Sequence, residues 1–351
     1  MSRIITFVEA IQEATDQSMK RDKDIILFGL GVDDPKRIFG STAGLKEKYG
    51  EERVFDVPTS ENAMTGIGVG ASIAGKKSIM VHQRLDFFLL AMDQVVNSAA
   101  KWFYMFGGQQ SIPITIRLIM GRGWGQGPTH SQNLQAWFAH IPGLKVVMPA
   151  TAQDAKGLLI SSIQDKNPVI FLEHRWLHNM TGNVSKSFKA IPLGQANIIK
   201  EGNDLSIIAM SYMVVEALEA QKFLLSHNIK IEVIDLRTVA PVDYKTLFKS
   251  IKKTKRAIVL DTGHLNGSIS AEISAKISES LFDILLASPK RLALPDYPEG
   301  TSFGLTDQFH PNAKTIVDLV CSELDVKINT DNILHNDRPH DVPGDWFKGP
   351  F

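Results

Sequence analysis

From Ile112 to Ile119 the chain reads Ile-Pro-Ile-Thr-Ile-Arg-Leu-Ile, β-branched and almost continuously apolar. A run of this kind suits a strand buried on both faces, which belongs in a parallel sheet covered by helices on either side. A glycine-rich loop follows, Gly121-Arg122-Gly123-Trp124-Gly125-Gln126-Gly127, and closes with Pro128-Thr129-His130-Ser131-Gln132. Open α/β sheets bind their ligands in loops at the carboxyl ends of the strands. Glycine at every second position permits positive φ and close backbone approach to another molecule. The expectation is an α/β fold with His130 at the mouth of a site.

At 351 residues, 44% of them hydrophobic, the chain is long enough for two domains. Its 38 Lys and Arg balance 38 Asp and Glu without a dense basic tract, so neither nucleic acid nor an anionic membrane is an expected partner. A single cysteine, Cys321, leaves no intramolecular disulfide. The opening Met1-Ser2-Arg3-Ile4 leads into an amphipathic segment rather than a signal peptide, which points to the reducing cytoplasm. The most apolar segment, Phe87 to Met105, is interrupted by Asp93, Gln94, Asn97 and Lys101 and reads as a buried helix rather than a membrane span.

Taken in order, Thr6 and Glu9 form a capping box ahead of a helix from about Phe7 to Lys20. Ile25 to Phe28 and Val54 to Val57 are short strands, and Ser60 is placed to cap the helix that follows, with Glu61 in its first turn. Gly66, Gly68, Gly70 and Gly75 weaken that helix by roughly 1 kcal/mol each relative to alanine, so a close neighbour is expected there. Lys77 to His82 is a strand, and Phe87 to Tyr104 a helix so apolar that it must be covered on every side, which favours a subunit interface. Gln132 to His140 is expected to be helical, Leu144 to Met148 a strand, Thr151 and Asp154 the opening of a capped helix, and Pro168 to Leu172 the next strand. A polar, irregular passage from Asn179 to Pro192 marks a linker. Beyond it, strands at Leu205 to Met210, Ile229 to Leu236, Ala257 to Leu260 and Arg291 to Leu294 alternate with helical patterns, as in a second parallel α/β domain. The reading is four segments: a domain over 1–180, a linker over 181–200, a domain over 201–324 and an aperiodic tail over 325–351.

Several segments resemble the beta subunits of thiamine diphosphate-dependent 2-oxo acid dehydrogenases, of pyruvate and branched-chain type, within the transketolase superfamily. They include Val57-Pro58-Thr59-Ser60-Glu61, Asp93-Gln94-Val95-Val96-Asn97-Ser98-Ala99-Ala100, His130-Ser131-Gln132, Ile141-Pro142-Gly143-Leu144-Lys145-Val146-Val147 and Val233-Ile234-Asp235-Leu236-Arg237-Thr238. The resemblance runs from the first helix to about Leu324. It implies two doubly wound domains, a thiamine diphosphate pyrimidine-binding domain and a transketolase C-terminal-like domain. It gives Glu61 the task of hydrogen-bonding a ring nitrogen of the cofactor's aminopyrimidine, and His130 that of orienting or protonating intermediates. Gln83 and Leu85 fall beside the cofactor. The resemblance further implies a structural potassium ion, with ligands at Ile112, Ile114, Thr115, Ser162, Asp165 and Asn167. The sequence has no Gly-Asp-Gly followed by Asn, the motif by which the superfamily holds magnesium and the diphosphate. That half of the site is therefore expected from an alpha subunit in an α2β2 heterotetramer, which in the family docks on a dihydrolipoyl acyltransferase core.

The chain departs from the family pattern at Leu30, where an acid is usual; at Leu85, aligned with an aromatic; at Gly300, aligned with a proline; and in the extended tail. Arg84, Arg122 and Trp124 are candidates for a pocket that takes a larger, more polar or phosphorylated small-molecule substrate. Two further readings stand beside the dehydrogenase: a transketolase-like or acyloin-forming transferase acting on a sugar, and a non-catalytic scaffold subunit.

Overall fold

A strand, β1 (Ser2–Thr6), opens the fold and passes into α1 (Phe7–Arg21) at Thr6, whose side chain accepts from the Glu9 amide while the Glu9 carboxylate accepts from the Thr6 amide at 2.7 Å. This is the reciprocal capping box that the Thr-x-x-Glu spacing predicts. The computed structural model describes residues 2–122, 125–333, 339–340 and 342–347. In order after α1 come β2 (Ile25–Gly29), α2 (Leu45–Tyr49), β3 (Val54–Asp56), α3 (Glu61–Ile73), β4 (Lys77–His82), α4 (Leu85–Phe88) and α5 (Ala100–Met105). Next are β5 (Ile114–Met120), α6 (Gln135–Ala139), β6 (Lys145–Val147), α7 (Ala152–Gln164) and β7 (Val169–His174). The remainder comprises β8 (Thr181–Ser185), β9 (Asn197–Lys200), β10 (Leu205–Ala209), α8 (Met213–Ser226), β11 (Ile231–Asp235), β12 (Thr238–Ala240), α9 (Tyr244–Thr254), β13 (Ala257–His264), α10 (Ile269–Leu281), β14 (Lys290–Leu294), α11 (Phe303–Thr306) and α12 (Ala313–Leu324).

The first half builds a sheet in the order β12-β6-β7-β5-β4-β2-β3, parallel except for β12. Every residue of β5 is buried, as its apolar run requires. Helices cover both faces. Met64 and Val69 of α3 pack with Leu85 and Phe88 of α4 on one side, and Ile11 of α1 packs with Leu158 and Ile163 of α7 on the other. The second half forms a sheet in the order β14-β13-β10-β11-β9, parallel except for β9. The chain is thus α/β with two wound sheets. They are interlocked, because β12 comes from the second half of the chain and pairs with β6 at the edge of the first sheet.

The structure corrects three expectations. The Phe87 to Tyr104 segment is not one helix: α4 passes through a 3-10 turn at Leu89–Ala91 and a π-helical stretch at Gln94–Ala99 before α5. The wider π turn leaves Val95, Ala99 and Ala100 buried. The helix expected from Gln132 begins only at Gln135, because the Gln132 backbone amide and side chain are both bonded to Asp86. The passage expected to be irregular contains β8, which pairs antiparallel with β1; only Val184 of its residues is buried, so no apolar run announced it. In the tail, the Trp346 indole donates to the Trp176 carbonyl at 2.8 Å, so this segment wraps back onto the first sheet. No described helix is long and apolar enough to cross a membrane.

Candidate active site

The carboxyl ends of β3, β4, β5 and β7 line one edge of the first sheet, and the loops leaving them carry the candidate residues. Glu61 begins α3 and is 6% exposed. Ser60, expected to cap that helix, makes no capping hydrogen bond with its side chain. One turn on, the Thr65 hydroxyl donates to the Glu61 carbonyl at 2.7 Å and lies 3.7 Å from the Met80 sulfur, fixing α3 against β4. One helical turn and two strand residues span similar lengths, so Glu61 stands level with the end of β4 at His82. Among the described residues the Glu61 carboxylate has no hydrogen-bond partner. The residue is nearly buried while its unpartnered carboxylate stays accessible, which fits a ligand that brings its own donor, such as an aminopyrimidine.

At the end of β4 the chain is clamped to the glycine-rich loop. Arg84 Nη1 donates to the Gly121 carbonyl at 3.0 Å, and Asp86 Oδ1 accepts from Gln132 Nε2 at 2.9 Å. The Phe87 ring meets the His130 ring edge-on, with centroids 5.3 Å apart, and His130 Nδ1 lies 3.1 Å from the Thr129 hydroxyl. Leu85, expected beside the cofactor, is fully buried in the core and has no surface to offer it. The ring exposed at this point is Phe87, 39% accessible and two residues further on. Gln83 is turned away to the β2–α2 loop, where it donates to Asp34 Oδ2 at 3.2 Å. His82 is fully buried against Phe88 with neither ring nitrogen partnered, and burial lowers its pKa to about 3, so the imidazole is neutral.

Arg122 is not presented to a substrate. Its Nε lies 2.9 Å from Glu299 Oε1 and its Nη1 lies 3.0 Å from His310 Nε2, all three groups coming together between the loop and the second half of the chain. Nearby, a side chain at Gly127, whose φ is +71°, would meet the Thr301 hydroxyl at 2.4 Å. The loop that carries His130 is thus seated on the 299–310 segment. Sequence reasoning missed Glu299 and His310, which no local pattern connects to residue 122. Trp124 lies outside the described residues.

The six residues proposed around a cation converge where α7 ends and β5 begins. Thr115 pairs with Val169, which brings the turn carrying Asp165 and Asn167 beside Ile112 and Ile114. Ser162 donates to the Leu158 carbonyl at 2.8 Å, and Asp165 accepts from Lys145 Nζ at 2.5 Å and from the Asn167 amide at 2.9 Å. The Asn167 side-chain oxygen is buried and unpartnered. Among the described residues no group of three or more His, Cys, Asp or Glu side chains is placed to hold a metal.

Residues 4–180 match the family described as "Transketolase, pyrimidine binding domain", and residues 194–316 that described as "Transketolase, C-terminal domain". The beta subunit of acetoin:2,6-dichlorophenolindophenol oxidoreductase from Cupriavidus necator is 40% identical over 326 residues, covering 90% of this chain and 96% of that protein. The pyruvate dehydrogenase E1 component subunit beta of Rickettsia conorii is 38% identical over 316 residues, covering 90% and 97%. A solved structure titled "Split gene transketolase, inactive beta4 tetramer" superposes with a TM-score of 0.74 over 92% of this chain and 100% of that one, at 21% identity, and shows the same fold.

Proposed function

This chain belongs to the transketolase-like family that includes the beta subunits of 2-oxo acid dehydrogenases, and on that premise we propose that it carries the pyrimidine-side half of a thiamine diphosphate site. The enzyme decarboxylates a 2-oxo acid and passes the acyl unit on. The name of the pyruvate dehydrogenase relative favours this reading over a transketolase-like or acyloin-forming transferase and over a silent scaffold. The observation that carries the site assignment is Glu61, 6% exposed at the start of α3 with its carboxylate unpartnered among the described residues, in the segment that matches the pyrimidine-binding domain.

When bound, thiamine diphosphate supplies the electron sink for breaking the bond beside the substrate carbonyl. Glu61 holds a proton against a ring nitrogen of the pyrimidine, and its burial strengthens that contact. Phe87 offers the flat apolar surface for the same ring. His130, held edge-on against Phe87, moves a proton to or from the acyl donor at the mouth. The chain lacks the motif for magnesium and the diphosphate, so both fall to an alpha subunit in an α2β2 assembly. A potassium ion is assigned to the end of α7, with carbonyl, hydroxyl and carboxylate oxygens from Ile112, Ile114, Thr115, Ser162, Asp165 and Asn167; the orphaned Asn167 oxygen supports it.

The test is Glu61→Gln in the assembled enzyme, which keeps size but cannot cycle the proton. Exchange of the cofactor's thiazolium proton with solvent, followed by quenched-flow NMR, should slow by about 10² to 10⁴-fold. That corresponds to roughly 3 to 5 kcal/mol of barrier. Slowing of less than about threefold, below the low end for positioned acid-base help, would take Glu61 out of the mechanism.

A further inference from the structure

The buried arginines of the described structure are Arg84, Arg117, Arg122 and Arg175. Arg117 is paired with Glu173 at 2.6 Å and Arg122 with Glu299 at 2.9 Å, as a low-dielectric interior requires of a guanidinium. The other two break that pattern. Among the described residues, the Arg84 guanidinium makes a single hydrogen bond, to the Gly121 carbonyl at 3.0 Å, although the residue is only 6% exposed. Arg175, 4% exposed, forms no ion pair among the described residues, leaves Nε buried without a partner there, and lies 4.5 Å from the Phe39 ring centroid and 5.8 Å from that of Phe347. Asp86 acts on Arg84 across space without a direct ion pair; its Oδ1 is taken by Gln132, and its Oδ2 is buried and unpartnered. Burial lowers the pKa of both arginines, and the charge of Arg84 helps bring Arg175 down to about 10.

The sheet order β7-β5-β4 puts these two cations on either side of one strand end. Arg84 follows β4 and Arg175 follows β7, and strands two places apart are separated by about 10 Å. Gly121, the first residue past β5, lies between them with a φ of +72°; His174 Nε2 would stand 2.4 Å from a side chain there. His174 is itself neutral, since burial first and the surrounding cations second lower its pKa to about 3. The floor between the guanidiniums is therefore backbone and neutral imidazole. Arg84 leads directly into the helix bearing Phe87, and Gly121 opens the loop that ends at His130, so this strand end adjoins the candidate active site.

We infer that Arg84 and Arg175 form an anion site at the far end of the substrate pocket, taking a carboxylate or phosphate group borne by the acyl donor in addition to its 2-oxo carboxylate. The preferred substrate is then a 2-oxo acid with a second anionic group. This rests on the proposed function and names its substrate class. Guanidinium forks match planar carboxylates and phosphate oxygens, and an incoming anion adds the direct pairing that Glu173 and Glu299 give to Arg117 and Arg122.

The test has a binding arm and a turnover arm. In the first, thermal melts of the full chain are recorded with inorganic phosphate and with glutarate, for wild type, Arg84→Gln and Arg175→Gln. Both anions should raise the wild-type Tm, and the rise should vanish in the variants, while their Tm in anion-free buffer stays at or above wild type because an uncompensated charge has gone. A variant that melts lower by the same amount with and without anion marks a structural arginine and overturns the inference. If the glutamine variants fail to fold, Arg84→Lys keeps a charge and should retain a weaker response. In the second arm, the enzyme assembled with its alpha partner is given 2-oxopentanoate, 2-oxoglutarate and 2-oxo-4-phosphonobutanoate. Wild type should favour one of the anionic acids by about 10- to 100-fold in kcat/KM, the worth of a charged hydrogen-bonded contact, and Arg84→Gln should erase that preference mainly through KM. Equal turnover of all three acids overturns the substrate assignment. So does phosphate binding that disappears on assembly, since the arginines would then belong to a carboxylate of the partner. If none of the acids is turned over, the proposed function fails while the phosphate melts still decide whether the anion site exists.

Discussion

Asp235 shows how one buried group sets a pH dependence. It ends β11 with no solvent contact; Oδ1 accepts from the Arg237 amide at 3.0 Å, and Oδ2 has no partner. The Arg237 guanidinium goes instead to Asp154, at 2.6 Å. Burial first, and the Asp154 charge second, push the Asp235 carboxyl from an ordinary 3.8 up to about 8. The folded state therefore holds a proton that the unfolded chain has released, so this group makes stability fall as pH rises between those values and adds no further slope above about 8. Asp235→Asn keeps the shape and removes the titration. Melts across that range should give a flatter curve for the variant and a higher Tm than wild type at the alkaline end; parallel curves would assign the slope to another group. Asp235 was legible in the sequence only as part of a family segment, because its environment depends on Asp154, from another part of the chain. Arg122 is similar, since its partner Glu299 is distant in sequence. Glu61 was legible because a helix start is a local event. Leu85 is buried and Phe87, two residues on, is exposed, because which of two nearby residues faces outward depends on where a short helix begins.

For whole elements, α3 makes the same point with its glycines, which look alike in sequence. A side chain at Gly68 would stand 3.0 Å from Ile114 and 3.1 Å from Phe28, whereas at Gly70 nothing lies within 4 Å. Gly70→Ala should therefore stabilise the folded chain by about 1 kcal/mol through helix propensity alone. Gly68→Ala should destabilise it by roughly 1 to 3 kcal/mol, since a filled core must shift to admit the methyl group. Urea denaturation of the two variants checks the contrast, and the opposite order would mean that α3 does not pack on β5 and β2 as described. Strands β5, β7 and β10, buried throughout, were plain in the sequence because burial on both faces writes a continuous apolar run. Strands β1, β8 and β9 were not, being half-exposed and placed by antiparallel pairing with distant segments. The apolar stretch after β4 was recognised as helical, but its passage through 3-10 and π turns was not, since apolar character on every side leaves no period to mark a change of pitch.

At the scale of the whole molecule, that apolar stretch stays partly uncovered. Leu90 is exposed in its 3-10 turn, Phe103, Met105 and Phe106 are exposed at the end of α5, Tyr104 is 87% accessible, and Trp137 is exposed elsewhere on the chain. Large apolar side chains grouped on a surface mark contact with another protein more often than with water. The chain also offers only the pyrimidine side of the proposed cofactor site, through Glu61 and Phe87, and nothing in its sequence to hold a diphosphate with magnesium. The two observations lead to one expectation: cofactor affinity should follow assembly. Calorimetry on the chain alone should show weak binding of thiamine diphosphate, and roughly micromolar or tighter, magnesium-dependent binding once the alpha subunit is added. Tyr104→Glu, a surface change that touches neither Glu61 nor Phe87, should weaken the assembly in sedimentation and lower cofactor affinity with it, because a buried unpaired carboxylate is costly in an apolar contact. Unchanged assembly in that variant would place the interface elsewhere on the chain. Tight, magnesium-dependent binding to this chain by itself would mean that both halves of the site lie within it, and the two-subunit enzyme would have to be abandoned.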